Sequence, residues 1–91
     1  MSLSSKQRKE LRAAAHHLKP VVRVGQNGVS EGVIAEADQA LTIHELIKVH
    51  VQGEDREERK QDAERLCAAT RAELVTNIGK IFVVYRANPD E

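Results

Sequence analysis

The hydrophobic pattern of this chain switches repeatedly between the period of a helix and the period of a strand, and this restricts the folds open to it. A period of about 3.6 residues predicts an amphipathic helix, and a period of 2 predicts a half-buried strand. The helical segments are 5–18, 31–43 and 54–70, and the strand segments are 21–24, 46–51, 74–78 and 81–86. This order, a helix followed by βαβαββ, predicts a two-layer α/β fold with a four-stranded mixed sheet.

Local signals mark the ends of several segments. Ser4 and Gln7 have capping-box spacing at the start of the first helix, and Pro20 forbids its continuation. Gly79 and Lys80 separate two apolar runs and indicate a hairpin, because glycine tolerates the positive φ of such turns. The apolar stripe expected to bury the first helix consists of Leu11, Ala14, Ala15 and Leu18.

Length and composition suit a single domain spanning residues 1–91. The one cysteine, Cys67, cannot form an intrachain disulfide, which is typical of a reducing cytoplasm. The longest apolar run, Ile81–Tyr85, has five residues, whereas a membrane span needs roughly 18. We therefore expect one cytoplasmic domain that does not enter a membrane.

Charge is distributed unevenly, although the formal net charge is zero. Residues 1–28 contain six lysine or arginine residues and one acid, which gives +5, so residues 29–91 carry −5. On the first helix Arg8, Lys9, Arg12 and His16 lie beside one another, next to the apolar stripe. Such asymmetry indicates contact with a polyanion, and a simple solvated face is the alternative interpretation.

The loop Gly25-Gln26-Asn27-Gly28 joins a predicted strand to the start of a predicted helix. Unpaired backbone N–H groups at a helix start can bind an anion, and glycine allows a phosphate to approach the backbone. The loop matches neither GxxxxGK[ST] nor GxGxxG, and a KH domain places its GxxG between two helices. The alternative is a tight turn that needs two glycines for its geometry.

The sequence contains no pattern typical of catalysis or metal binding. His16 and His17 point about 100° apart on a helix and cannot share a metal. Cys67 falls in an apolar row, and no Ser/His/Asp or Cys/His arrangement stands out. Phe82 and Tyr85 are the only aromatic residues, so a base-stacking platform is absent.

Several segments, taken together, carry a family resemblance that extends from Ser4 to Arg86. They are Leu18-Lys19-Pro20-Val21-Val22-Arg23-Val24-Gly25-Gln26-Asn27-Gly28-Val29, Leu41, His44-Glu45-Leu46-Ile47-Lys48-Val49, Glu73-Leu74-Val75, Ile78-Gly79 and Tyr85-Arg86. With these segments the chain resembles the bacterial YhbY-like proteins of the CRM (chloroplast RNA splicing and ribosome maturation) family of RNA-binding domains. The resemblance implies the fold of the C-terminal domain of translation initiation factor three, with sheet order 1-2-4-3 and the last strand antiparallel to the others. It also implies work on precursors of large-subunit ribosomal RNA.

The loop departs from the family pattern at one position. Family members commonly have a lysine after the first loop glycine, whereas this chain has Gln26. Phosphate contacts must then come from neighbouring cations, and Glu31 opposes them. Lys48 and Arg86 are weaker candidates. The candidate RNA-binding residues are Lys6, Arg8, Lys9, Arg12, Lys19, Arg23, Gly25, Gln26, Asn27, Gly28 and Lys48.

These observations predict a non-enzymatic RNA-binding protein, and the family resemblance implies that it docks on structured ribosomal RNA precursor and assists assembly of the large (50S) ribosomal subunit. We expect RNA as its partner, no DNA, no membrane, no cofactor or metal, and a monomer. One alternative is a protein-interaction module that acts through the charged helix at 54–65. Another is an enzyme domain that holds a phosphate-bearing ligand in the glycine loop.

Overall fold

The computed structural model describes residues 3–89, which form three helices and four strands in the predicted order. Residues 1, 2, 90 and 91, which the single-domain prediction includes, lie outside the described residues. Among residues 3–89, none of the helices combines the length and apolar character that crossing a bilayer requires. The elements are α1 (Ser5–Ala15), β1 (Pro20–Val24), α2 (Glu31–His44), β2 (Leu46–Val51), α3 (Arg56–Thr70), β3 (Glu73–Ile78) and β4 (Ile81–Tyr85).

Helix α1 begins as predicted and ends earlier. Ser4 caps it with a complete capping box, in which the Ser4 side chain accepts from the Gln7 N–H and the Gln7 side chain accepts from the Ser4 N–H. The helix ends at Ala15, where the Leu18 N–H donates to the Ala15 carbonyl in a tighter i−3 bond. The prediction for Ala14 was wrong, because its side chain is exposed. Helix α1 therefore contacts the sheet through fewer residues than the predicted stripe contains.

The four strands that residues 3–89 form make one mixed sheet in the order β1-β2-β4-β3. Strand β1 pairs parallel with β2, and β4 pairs antiparallel with both β2 and β3. This confirms the sheet order and the antiparallel last strand that the family resemblance implied. Strands β1 and β3 are therefore the two edges, and β4 lies inside the sheet.

Both faces of the sheet carry helices. Helices α2 and α3 cover one face, and the main core there includes Val24, Leu41, Val51, Leu66 and Phe82, each at most 1% exposed. Helix α1 packs on the opposite face, in a smaller cluster built on Ala15, Val75 and Val83. The predicted two layers describe the sheet with α2 and α3, and α1 adds a helix on the other face.

The Arg86 side chain ties the end of β4 to α2 and α3. Its Nη1 donates to the Asp38 carboxylate at 2.6 Å and to the Thr70 carbonyl at 2.9 Å, and Nη2 donates to the Thr42 hydroxyl at 2.9 Å. The side chain is only 18% exposed. Since Arg is planar and offers several fixed donors, it can join three partners at once. The structure therefore gives Arg86 a structural position, and its donors already have partners.

Candidate nucleic-acid interface

Helix α1 leaves one part of its face of the sheet open, and basic side chains surround this part. Arg12 and His16, near the end of α1, line a groove of about 200 Å³ together with Lys48 from β2. Thr76 and Ile78 of β3 line the other side of the groove. The groove therefore joins cations from the first helix and from a strand more than 30 residues away in sequence.

The strand register shows which residues share this open face. Lys48 lies opposite Val83, and Val83 lies opposite Thr76, which makes one cross-strand row beside α1. The next row runs across the whole sheet. Its members are Arg23 of β1, His50 of β2, Ile81 of β4 and Ile78 of β3.

Arg23 and Lys19 extend the basic surface toward the β1 edge. Arg23 is exposed and points away from the main core, because its neighbours Val22 and Val24 are buried there. Lys19 is exposed and directly precedes Pro20, which lies opposite Lys48 in the parallel pair. The predicted residues Arg12, Lys19, Arg23 and Lys48 thus lie around one surface, which we call the open basic face.

Three other predicted residues of α1 have different positions. The Arg8 Nη1 donates to the Leu74 carbonyl at 2.6 Å and to the Val75 carbonyl at 3.1 Å, so it fastens α1 to the backbone of β3. Lys9 is exposed and lies one turn before Arg12. Lys6 is exposed but about 9 Å further along the helix axis from Arg12, toward the far end of the sheet.

The glycine loop forms a turn at the carboxyl end of β1. The Gly28 N–H donates to the Gly25 carbonyl at 3.0 Å, and Gly28 has φ +78°, which other residues rarely adopt. The Gln26 and Asn27 side chains are exposed. The neighbouring β2 ends at the same end of the sheet and lies beside the β3–β4 turn, since the Val51 N–H donates to the Lys80 carbonyl at 2.8 Å.

The surroundings of the glycine loop are acidic. Glu58 and Asp62 of α3 line the same crevice as the loop, together with Arg65, whose guanidinium lies 3.8 Å from the Asp62 carboxylate. A Cβ atom added at Gly28 would lie 3.8 Å from Asp62 Oδ1. Glu31 stands exposed at the start of α2. These carboxylates weaken any attraction between the loop and a phosphate.

Sequence reasoning missed a second basic concavity, on the other face of the sheet. Arg56, Arg59 and Lys60 of α3 line a space of about 380 Å³ with Asn77 and Gly79. Their i, i+3, i+4 spacing was visible in the sequence, but the charged stretch 54–65 contains six acids and four bases. The fold turns Arg56, Arg59 and Lys60 toward the β3–β4 turn. Glu58 and Asp62 face the glycine loop, beside Arg65.

Cys67 lies away from these surfaces, in the main core, with 7% of its surface exposed. Burial, with smaller contributions from Glu73 and Glu64, raises the pKa of the thiol to about 11. Because the thiolate is the reactive form, Cys67 is a poor nucleophile at neutral pH. Within residues 3–89 no group of three or more His, Cys, Asp or Glu side chains could hold a metal ion.

Comparison with known proteins identifies the family. The sequence model of the CRS1 / YhbY (CRM) domain matches residues 3–86. The chain belongs to this family, as the sequence resemblance predicted. Its fold also matches the solution structure of a hypothetical protein from Staphylococcus aureus, with a TM-score of 0.86 and 40% sequence identity over 98% of this chain and 93% of that one.

Curated relatives match along almost the whole chain. A protein of Pseudomonas aeruginosa named "Probable RNA-binding protein" is 47% identical over 98% of this chain and 86% of its own length. An "RNA-binding protein" of Haemophilus influenzae is also 47% identical, over 98% of this chain and 90% of its own length. "Probable RNA-binding protein YqeI" of Bacillus subtilis is 39% identical over 97% of this chain and 92% of its own length.

The different positions of Arg8 and Arg12 predict different effects on stability. Arg8→Gln removes a charged donor from two backbone carbonyls and should lower the free energy of unfolding by about 1 to 2 kcal/mol. Arg12 is exposed, so Arg12→Gln should change it by about 0.5 kcal/mol or less. Urea denaturation followed by circular dichroism measures both. Equal effects would contradict the structural position of Arg8.

Proposed function

We propose that this chain binds structured RNA, and that the open basic face carries the contact. The observation behind the proposal is that Arg12, Lys48 and Arg23, from three different elements, lie around one surface of the sheet. Several cations on one surface suit a phosphate backbone, whose charges repeat at regular intervals. The names of the curated relatives, which describe RNA-binding proteins, support the same interpretation.

The mode of recognition follows from the placement of the aromatic residues. Phe82 is 1% exposed in the main core, and Tyr85 is packed against the small cluster under α1. The sequence contains no other Phe, Tyr or Trp. The groove therefore offers bases no Phe, Tyr or Trp ring on which to stack, and we infer that RNA shape and phosphate positions supply most of the selectivity.

The finer proposal concerns the RNA and the process. We infer that the chain binds precursor RNA of the large ribosomal subunit and assists its assembly, without catalysis and as a monomer in the cytoplasm. The family resemblance suggests this role, and a groove of about 200 Å³ lined by cations suits docking better than chemistry. Binding alone can order an RNA segment, because neutralising close phosphates removes a repulsion that opposes compaction.

The salt dependence of RNA affinity tests the electrostatic mechanism. If three to five phosphates are engaged, log K should fall against log salt with a slope of about −2 to −5. Arg12→Gln and Lys48→Gln should each reduce the magnitude of this slope by about 0.7 to 0.9 and lower the affinity by roughly threefold to tenfold at 0.1 M salt. Fluorescence anisotropy with a ribosomal RNA fragment at several salt concentrations measures both quantities.

Arg71→Gln is the matched control for this experiment. Arg71 is exposed at the end of α3 and lines neither the open basic face nor the groove beside it. Its substitution removes the same charge, so it corrects for the general loss of electrostatic attraction between the protein and RNA. No binding by the wild-type protein at low salt, or equal behaviour of all three variants, would refute the proposed contact.

The cellular role has its own test. Ultraviolet crosslinking in cells, followed by sequencing of the attached RNA, should recover precursor large-subunit ribosomal RNA above its share of total RNA. The Arg12→Gln, Lys48→Gln double variant should recover less, because its phosphate contacts are weakened. Enrichment of other RNA classes alone would leave RNA binding intact and refute the ribosomal assignment.

The glycine loop gives a further prediction. Gln26 is exposed at the same end of the sheet as the β3–β4 turn, so Gln26→Lys should tighten RNA binding and steepen the salt slope by about 0.7 to 0.9. Gln26→Glu should weaken binding, because it adds to the acidic charge of Glu58 and Asp62. The same anisotropy titrations decide the matter. Unchanged affinity and slope in both variants would mean that the loop is only a turn.

A further inference from the structure

The end of the β3–β4 hairpin lies between two basic concavities. On the α1 face, Ile78 lines the groove that contains Arg12 and Lys48. On the α3 face, Asn77 and Gly79 line the concavity that contains Arg56 and Lys60. Since successive residues of a strand point to opposite faces, consecutive positions of β3 belong to different concavities. One short piece of edge strand thus has cations on both sides.

The α3 side of this arrangement is basic in its own right. Of the described residues that line this concavity, three are cations and none is acidic. Arg59 holds its position through Nη1, which donates to the Gly53 carbonyl at 2.8 Å, and its Nε is buried with no hydrogen-bond partner among residues 3–89. At the adjoining turn, Glu54 is fully exposed and lies 4.0 Å from the Lys80 ammonium, at the outer limit of an ion pair. An exposed pair of this length neutralises little charge.

The tip of the hairpin itself is apolar and exposed. Ile78 has 78% of its surface exposed, the highest value among the large apolar residues that are exposed between residues 3 and 89. Ile78 precedes Gly79, and the positive φ of Gly79, +59°, allows the chain to turn sharply here. An isolated exposed isoleucine is ordinary on a protein surface. Here, however, it stands between two groups of cations that attract the same kind of ligand.

We propose that RNA straddles the end of the β3–β4 hairpin, so that its phosphates contact Arg12 and Lys48 on one flank and Arg56 and Lys60 on the other. This inference rests on the proposed RNA-binding function and adds a second contact surface to it. Ile78 would then lie at the middle of the contact, against a ribose or a base. Contact on both flanks gives the RNA a fixed orientation, which a single basic patch cannot provide.

The separation of charge on α3 favours RNA over a protein as the ligand of this side. A protein partner that used the whole charged stretch 54–65 would need complementary charges for both the acidic and the basic sides of the helix. A polyanion needs only the basic side, and that side is the one that adjoins the β3–β4 turn. The acidic side, with Glu58 and Asp62, faces the glycine loop.

Substitution of the α3 cations tests the proposal. Arg56→Gln and Lys60→Gln should each lower RNA affinity by roughly threefold to tenfold at 0.1 M salt and reduce the salt slope by about 0.7 to 0.9. Arg71→Gln, on the residue that follows α3, is the matched control because it removes the same charge from the exposed surface near the same helix. Thermal melts of all variants confirm that they are folded.

Ile78→Ser supplies an independent readout. It should lower the affinity and leave the salt slope unchanged, because the lost contact is apolar. If Arg12→Gln weakens binding while Arg56→Gln and Lys60→Gln behave like Arg71→Gln, the two-flank contact is refuted and the proposed function stands. If the wild-type protein does not bind RNA at all, the two-flank contact and the proposed function are both refuted.

Discussion

The burial of strand β4 on both of its faces is the constraint that organises this molecule. Phe82 and Val84 point into the core under α2 and α3, and Val83 between them points to the other side, and all three are at most 4% exposed. A strand with apolar residues on both faces needs other elements packed against each face of the sheet. Helix α1 therefore has to lie across the face opposite α2 and α3. Since α1 is also the most basic helix, this requirement of the core places Arg12 on the same groove as Lys48.

The order of the elements could be predicted because its signals are local. Caps, proline and glycine positions and hydrophobic period act within a few residues, and the observed boundaries differ from the predicted ones by only a few positions. The position of α1 on the opposite face could not be predicted in the same way, because it depends on contacts with β3 and β4 that are distant in sequence. Arg8 illustrates this difference. It looked like its neighbours Lys9 and Arg12 in the sequence, but only Arg8 lies within reach of the β3 carbonyls.

Long-range contacts also changed the electrostatic interpretation of the glycine loop and of α3. The glycine loop carries no charge of its own, and its acidic surroundings come from α3, which begins about 30 residues later. The mixed charges of α3 looked like an ordinary solvated face, but the fold places three of its bases at the β3–β4 turn and two of its acids at the glycine loop. A net charge of zero therefore gives no measure of the local field at the hairpin. The family match identifies the class of protein, whereas the separation of charge depends on these particular side chains.

The hydrogen bonds of Arg86 to α2 and α3 have a practical consequence for how this protein can be labelled or immobilised. Tyr85 and Arg86 lie at the end of β4 farthest from the β3–β4 turn, roughly 13 Å along the strand from Ile81. The backbone N–H of Asn88 donates to the Glu45 carboxylate at 2.8 Å, and its side chain donates to the Thr42 carbonyl at 2.7 Å, so the segment after β4 is fastened at this end as well. Pro89 shares a space with Asp38, Thr42 and Arg86, so this residue is an attachment point for a dye or an affinity tag at the pole opposite the hairpin. A sensor surface that captured the protein by such a tag would present both basic flanks outward.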